Sequence, residues 1–100
     1  MALEFEWDPR KADRNEQKHG VSFTEAATAF ADLRSISIAD PGHSLFEERH
    51  LLLGRTAQGR LIVVSHTTRG DRFRLISARM ASRYERKVYE EDPTQEARDS

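Results

Sequence analysis

Leu61-Ile62-Val63-Val64-Ser65-His66-Thr67-Thr68, then Arg69-Gly70-Asp71, then Arg72-Phe73-Arg74-Leu75-Ile76-Ser77-Ala78-Arg79-Met80 is the stretch on which the fold turns. Its flanks are rich in β-branched and aromatic residues, and the Gly-centred joint is short enough for a hairpin. The spacing predicts strands over Arg60–Thr68 and Arg72–Met80. A third strand, Arg49–Thr56, joins them through Gln58-Gly59, so the three form an antiparallel meander. Leu61 to Val64 are apolar at every position, which requires cover on both faces of the sheet and puts the core at its centre. Arg34 to Ile38 alternates, with Ile36 and Ile38 on one side. Asp40-Pro41-Gly42 ends that strand, and an exposed loop is expected over residues 39–48.

Upstream, Glu4-Phe5-Glu6-Trp7 alternates as a half-buried first strand. Asp8-Pro9 then opens a helix, Asp8 as cap and Pro9 at the first helical position, with Gly20 as its stop. Pro9 to His19 offers only Ala12 as a clear apolar residue, so this helix must lean on its neighbours and keep a polar face in the open. Ser22-Phe23-Thr24-Glu25 has capping-box spacing, with Val21 placed to staple against Ala26. Phe23, Ala26, Ala27 and Phe30 follow the i, i+3, i+4, i+7 rule and put a second helix in the core. Ser82-Arg83-Tyr84-Glu85 repeats the capping-box spacing and opens a last helix to about Glu90, on which Tyr84 and Val88 are expected to pack back on the sheet. From Glu91 the composition is polar and aperiodic, so residues 91–100 are expected to be a disordered tail behind a single domain over 1–90. The expected class is α+β, an antiparallel sheet with two N-terminal helices and one C-terminal helix.

The chain has no cysteine, which removes disulfides and thiolate metal sites. The Met1-Ala2-Leu3-Glu4 start lacks the basic-then-apolar order of a signal peptide, and the runs Leu51–Leu53 and Leu61–Val64 are far too short to span a bilayer. A soluble cytoplasmic protein is expected. The net charge of −1 hides a segregation: residues 49–89 hold ten bases, nine of them Arg, against Asp71 and Glu85, giving +8, while the remainder holds six bases against fifteen acids, giving −9. The planar guanidinium fork suits phosphate, so the basic half fits a polyanion partner. Solvated strand and helix faces fit it equally well.

Motifs for cofactor chemistry are absent: there is no Gly-rich phosphate loop and no cofactor is expected. His19, His43, His50 and His66 lack metal-ligand spacing, so no metal site is expected either. His66, in a strand between Ser65 and Thr67, reads either as a packed, hydrogen-bonded structural residue or as a near-neutral proton carrier. Lys18-His19 closes the polar helix, where positive charge also meets the helix dipole favourably. Period-two alternation puts Arg72 and Arg74 on one face of their strand and Arg79 on the other, unless a bulge re-aims one of them. Arg79 fits a phosphate contact and a simple salt bridge about equally. Phe5 and Trp7 fit base stacking, although their i, i+2 spacing in a strand is the usual mark of core. The residues alone lead to a small Arg-rich α+β domain with a candidate nucleic-acid surface. Non-catalytic binding of a nucleic acid or an acidic protein stays open as the alternative.

Phe5-Glu6-Trp7-Asp8, Lys18-His19-Gly20-Val21-Ser22-Phe23, Glu48-Arg49 ahead of Leu53-Gly54, His66-Thr67, and Arg74-Leu75-Ile76-Ser77-Ala78-Arg79 occur in this order over about Phe5 to Glu90. In that combination the chain resembles the BrnT toxin family. The resemblance implies a RelE-like domain, an endoribonuclease that cleaves RNA to arrest translation, and neutralisation by a BrnA-type ribbon-helix-helix antitoxin in a hetero-oligomer. It implies contact with operator DNA only through that complex, and none with a membrane. The matched polar positions are Lys18, His19, Arg49, His66, Arg74 and Arg79. His66 or His19 is the implied proton carrier, and Arg49, Arg74 and Arg79 are the implied phosphate contacts. RNA brings its own nucleophile, the 2′-hydroxyl, so this chemistry requires orientation, proton transfer and charge stabilisation without a metal.

Overall fold

A computed structural model describes residues 3–40 and 48–91. The Pro41-Gly42 part of the expected turn, His43, and all but the first residue of the expected tail lie outside the described residues. The elements run β1 (Phe5–Glu6), α1 (Pro9–His19), α2 (Phe23–Thr28), a 3-10 turn (Ala29–Ala31), β2 (Ile36–Ala39), β3 (His50–Arg55), β4 (Leu61–Arg69), β5 (Arg72–Met80) and α3 (Arg83–Glu90). One sheet carries all five strands in the order β1-β5-β4-β3-β2. The β2–β5 meander is antiparallel, as expected. β1 departs from that expectation: it pairs parallel with β5, Phe5 opposite Phe73 and Glu6 opposite Arg74. The sheet is therefore mixed, because β1 reaches the last strand rather than its sequence neighbour.

Both faces are covered, as the run Leu61–Val64 requires. Ile62 and Val64 pack with Val21, Phe23, Ala26, Ala29, Leu75 and Ala78 under α1 and α2. Leu61 and Val63 pack with Leu53 and Tyr89 under α3. Gly54 lets the 3-10 turn lie against β3, since a Cβ there would sit 3.1 Å from the Ala29 carbonyl and 3.2 Å from Ser35 Cβ. Phe5 and Trp7 take the core role: Phe5 meets Phe30 and Phe73 with ring centroids 5.0 and 5.8 Å apart, and Trp7 meets Phe23 edge-on at 5.9 Å. Phe30 is only half-buried, because the α-helix ends at Thr28 and the tighter turn carries Ala29 inward in its place.

α1 is held by a residue whose role its sequence context does not announce. Asp8 caps it by accepting from the Arg10 N–H at 2.9 Å, and Gly20 closes it in the left-handed conformation at φ 70°. The buried side chain is Asn15. Its Nδ2 donates to the carbonyls of Val21 at 3.0 Å and Ala78 at 2.8 Å, and its Oδ1 accepts from the Ala78 N–H at 3.0 Å. The amide thereby replaces a missing neighbour strand along the edge of β5 beyond the reach of β1.

Two further expectations change. Ser22 caps α2 through its Oγ, which accepts from the Glu25 N–H at 3.0 Å, but the box is not reciprocal. The Glu25 carboxylate instead takes Thr56 Oγ1 at 2.9 Å and the Arg60 guanidinium, whose bonds hold its pKa below the usual range. On α3, Tyr89 rather than Tyr84 or Val88 is the buried residue: its hydroxyl donates to Asp32 at 2.7 Å, while Tyr84 is 76% exposed. Glu85 and Tyr89, one turn apart, form the inward stripe, so Tyr84 and Val88 line an open groove of about 300 Å³ with Ile36, Ile38, Leu51, Leu53 and Val63.

Replacing Asn15 with Leu is expected to destabilise the chain by about 3 kcal/mol, because three hydrogen bonds are lost and their backbone partners stay buried. Urea unfolding of Asn15→Leu against wild type measures this; a loss below about 0.5 kcal/mol would mean that α1 docks without the amide.

Candidate functional site

β5 carries a bulge. Ser65 opposes Ser77 but His66 opposes Leu75, so Ile76 is one residue too many for β4. The extra residue resets the alternation of side chains. Arg79, Ser77 and Arg74 stand opposite Val63, Ser65 and Thr67, which share one face of β4. Arg74 and Arg79 therefore lie on the same face, the α3 side of the sheet. Arg49, just before β3, belongs to this face by alternation with Leu51 and Leu53.

His66 goes to the other face. It is 6% exposed and packed edge-on against Phe30 at 4.9 Å and Phe73 at 5.7 Å, with the His50 ring stacked at 5.8 Å. Both ring nitrogens are buried without a hydrogen-bond partner. Burial, and secondarily His50, holds its pKa down to about 4, so the imidazole is neutral at physiological pH. The sheet separates it from Arg74 and Arg79. Of its two sequence readings the packed one describes its surroundings, but the expected hydrogen bonds are not made.

Among the described residues, Arg60, Arg72, Arg74 and Arg79 of the basic half are paired with carboxylates, the first three with acids from elsewhere in the chain. Arg60 bonds Glu25, Arg72 meets Glu4 at 3.3 Å, and Arg74 Nη1 meets Glu6 at 2.7 Å. Arg79 makes a two-pronged pair with Glu85, at 2.8 and 2.9 Å, and this holds the Glu85 carboxyl down to about 2. Glu85 also accepts from the Ser82 N–H at 2.8 Å while Ser82 Oγ accepts from the Glu85 N–H at 3.1 Å, a complete capping box. Arg79 thus ties β5 to the start of α3, the salt-bridge alternative of its sequence reading.

Lys18 and His19 gather elsewhere, on the outer edge of β5. With Lys11, Arg14 and Asn15 of the same helix they surround Ile76 and Ser77, lining a shallow cavity of about 230 Å³. Ser77 belongs both to this cavity and to the row containing Arg74. The structure therefore brings Lys18 and His19 together at the bulge, places Arg74 and Arg79 on the adjoining sheet face, and sets His66 apart. Sequence reasoning missed Asn15 and Ser77; the bulge it named only as the exception that would re-aim Arg74 or Arg79, and the structure places it at Ile76. Ser77 stood in a quoted motif, but nothing in its spacing indicated that its strand carried an extra residue. Among the described residues no three His, Asp or Glu side chains converge as a metal site, and no helix is long and apolar enough to cross a membrane.

A family model described as the ribonuclease toxin, BrnT, of type II toxin-antitoxin systems matches residues 7–85. This chain belongs to the BrnT family. Within that family it is a ribonuclease toxin of a type II system, with an antitoxin as partner. The fold is similar to the crystal structure of the Brucella abortus ribonuclease toxin, BrnT, at 22% identity and a TM-score of 0.60, covering 82% of this chain and 100% of that one. No curated protein matches the chain.

The neutral, unbonded His66 makes folding pH-dependent. Its folded pKa lies below that of the unfolded chain, so its contribution is complete above the unfolded value of 6.5 and declines as pH falls toward 4. Between pH 7 and 5 wild type is expected to lose about 2 kcal/mol that His66→Phe does not. Paired denaturant titrations at the two pH values check this; equal losses in both proteins would show that burial does not suppress His66 protonation.

Proposed function

We propose that the chain is a metal-independent endoribonuclease that arrests translation in the cytoplasm, on a RelE-like domain, with Lys18, His19 and Arg74 as its working groups. The observation that carries this reading is the meeting of Lys18 and His19 with Ser77 at one open cavity on the edge of β5, next to the face that bears Arg74. His19, rather than the enclosed His66, takes the proton from the 2′-hydroxyl. The 2′ oxygen attacks the phosphorus, the bond to the 5′ oxygen breaks, and His19 passes its proton to that leaving oxygen, giving a 2′,3′-cyclic phosphate and a 5′-hydroxyl. Lys18 and Arg74 stabilise the charge gathered on the phosphoryl oxygens, in a site that can rely on positioning because RNA supplies the nucleophile. Arg49 adds charge from the same sheet face, and Arg79 acts at one remove by fixing Glu85 and α3.

We assign the antitoxin to the BrnA type, a ribbon-helix-helix protein that brings the toxin to operator DNA only within the complex. Its expected seat is the apolar groove beside Tyr84 and Val88, on a helix that also exposes Arg83, Arg86 and Lys87. Exposed charge next to an apolar seat speeds encounter more than it slows release. Arg83→Gln with Arg86→Gln is expected to lower the association rate and flatten its salt dependence; an unchanged rate would move the antitoxin off α3.

The catalytic reading is tested with purified chain and RNA in EDTA. Wild type is expected to cleave, and His19→Ala or Lys18→Ala to cleave about 100-fold or more slowly while melting as wild type does. Binding without cleavage would make the chain a non-catalytic module, and loss of cleavage in EDTA would make the reaction metal-dependent.

A further inference from the structure

α1 separates its charges by face. Lys11, Arg14 and Lys18 recur at i, i+3 and i+7 and look onto the β5 edge with Asn15 and His19. Asp13 and Glu16 lie on the opposite side, around a separate cavity with Trp7, Ala12 and Phe23. Among the described residues, the side chains of Lys11, Arg14 and Lys18 make no hydrogen bond or ion pair. This is the reverse of the basic half, where Arg60, Arg72, Arg74 and Arg79 are each paired with a carboxylate. The unpaired positive charge at the bulge thus comes from the helix, while Arg74 serves the site from the adjoining sheet face, where it is paired with Glu6.

The edge beside these cations is open. The β1 register stops at Arg74 and the Asn15 amide takes Ala78, so Ile76 and Ser77 lie in the gap between them. We propose that the Lys11–Arg14–Lys18 face of α1 is a backbone track for single-stranded RNA, holding phosphates next to the scissile one as the strand crosses the β5 edge at Ser77. This rests on the ribonuclease reading above and adds Lys11 and Arg14 as binding residues. A helix rises about 1.5 Å per residue, so the three cations span roughly 10 Å in a line, a spacing suited to a chain of regularly repeated charges. Asn15 keeps that line in register with the gap. Continuity with Lys18 and His19 favours substrate over an acidic protein segment as the occupant.

The test uses a 2′-O-methyl oligonucleotide, which binds but offers no nucleophile, with affinity measured across salt concentrations. Each phosphate neutralised on a single strand contributes about 0.7 to the slope of log affinity against log salt. Lys11→Gln with Arg14→Gln is expected to reduce the slope by about 1.4 and weaken binding on the order of 20-fold at 0.1 M salt. The swap Lys11→Arg with Arg14→Lys should keep both, and Lys87→Gln should change neither. Wild-type slope and affinity in the Gln pair would overturn the track, as would weakened antitoxin binding with oligonucleotide binding intact. Those results would leave cleavage by wild type standing, whereas absence of cleavage by wild type would remove the ribonuclease reading itself.

Discussion

A side-chain amide can take the place of a neighbouring strand, and Asn15 does this for β5. Its donor and acceptor match the carbonyl and N–H of Ala78, and the second amide hydrogen reaches Val21. A helix with one small apolar residue has little hydrophobic reason to dock, so these directional bonds specify where it lies. Everything on α1 that bears charge inherits that position. Lys18 and His19 meet Ser77 because Asn15, one turn before His19, is fastened next to the bulge.

The bulge is the second constraint, and it acts through parity. One extra residue at Ile76 exchanges faces for all that precedes it in β5. Phe73 and Leu75 join the helix-side core with His66, while Arg74 joins Ser77 and Arg79 across the sheet. A uniform strand would have split the two arginines and directed Arg74 into the apolar layer. The ring of His66 fills a space among Phe30 and Phe73 as an aromatic would, at the expense of two unsatisfied nitrogens.

Charge follows tertiary neighbours rather than sequence blocks. The acids that make residues outside 49–89 so negative include Glu4, Glu6 and Glu25, and each finds an arginine of the basic half. Exposed pairs such as Arg72 with Glu4 add little stability, whereas Glu25, nearly enclosed and bonded by both Arg60 and Thr56, tethers α2 to the β3–β4 turn. Three of the ten bases of the +8 segment are thereby offset by acids from outside it. The short basic face of α1 becomes the prominent unpaired patch at the bulge.

The sequence by itself determined the meander, the positions of all three α-helices and the two-sided core, because hydrophobic period, capping residues and turn glycines are local signals. The run Leu61–Val64 required two covered faces, and Ser82 with Glu85 specified the start of α3 down to both capping bonds. The motif Arg74 to Arg79 lies on the strand that borders the proposed site. Only the tertiary structure decided that β1 lies parallel to β5, that Tyr89 rather than Tyr84 turns inward, and that Glu25 leaves its own helix cap for Arg60. It alone set His66 apart from the arginines and brought Lys18 to Ser77. Each of these depends on which distant groups share a surface, and a one-residue slip in strand register, which reverses every side chain beyond it, leaves no trace in the periodicity of a strand as mixed as Arg72–Met80.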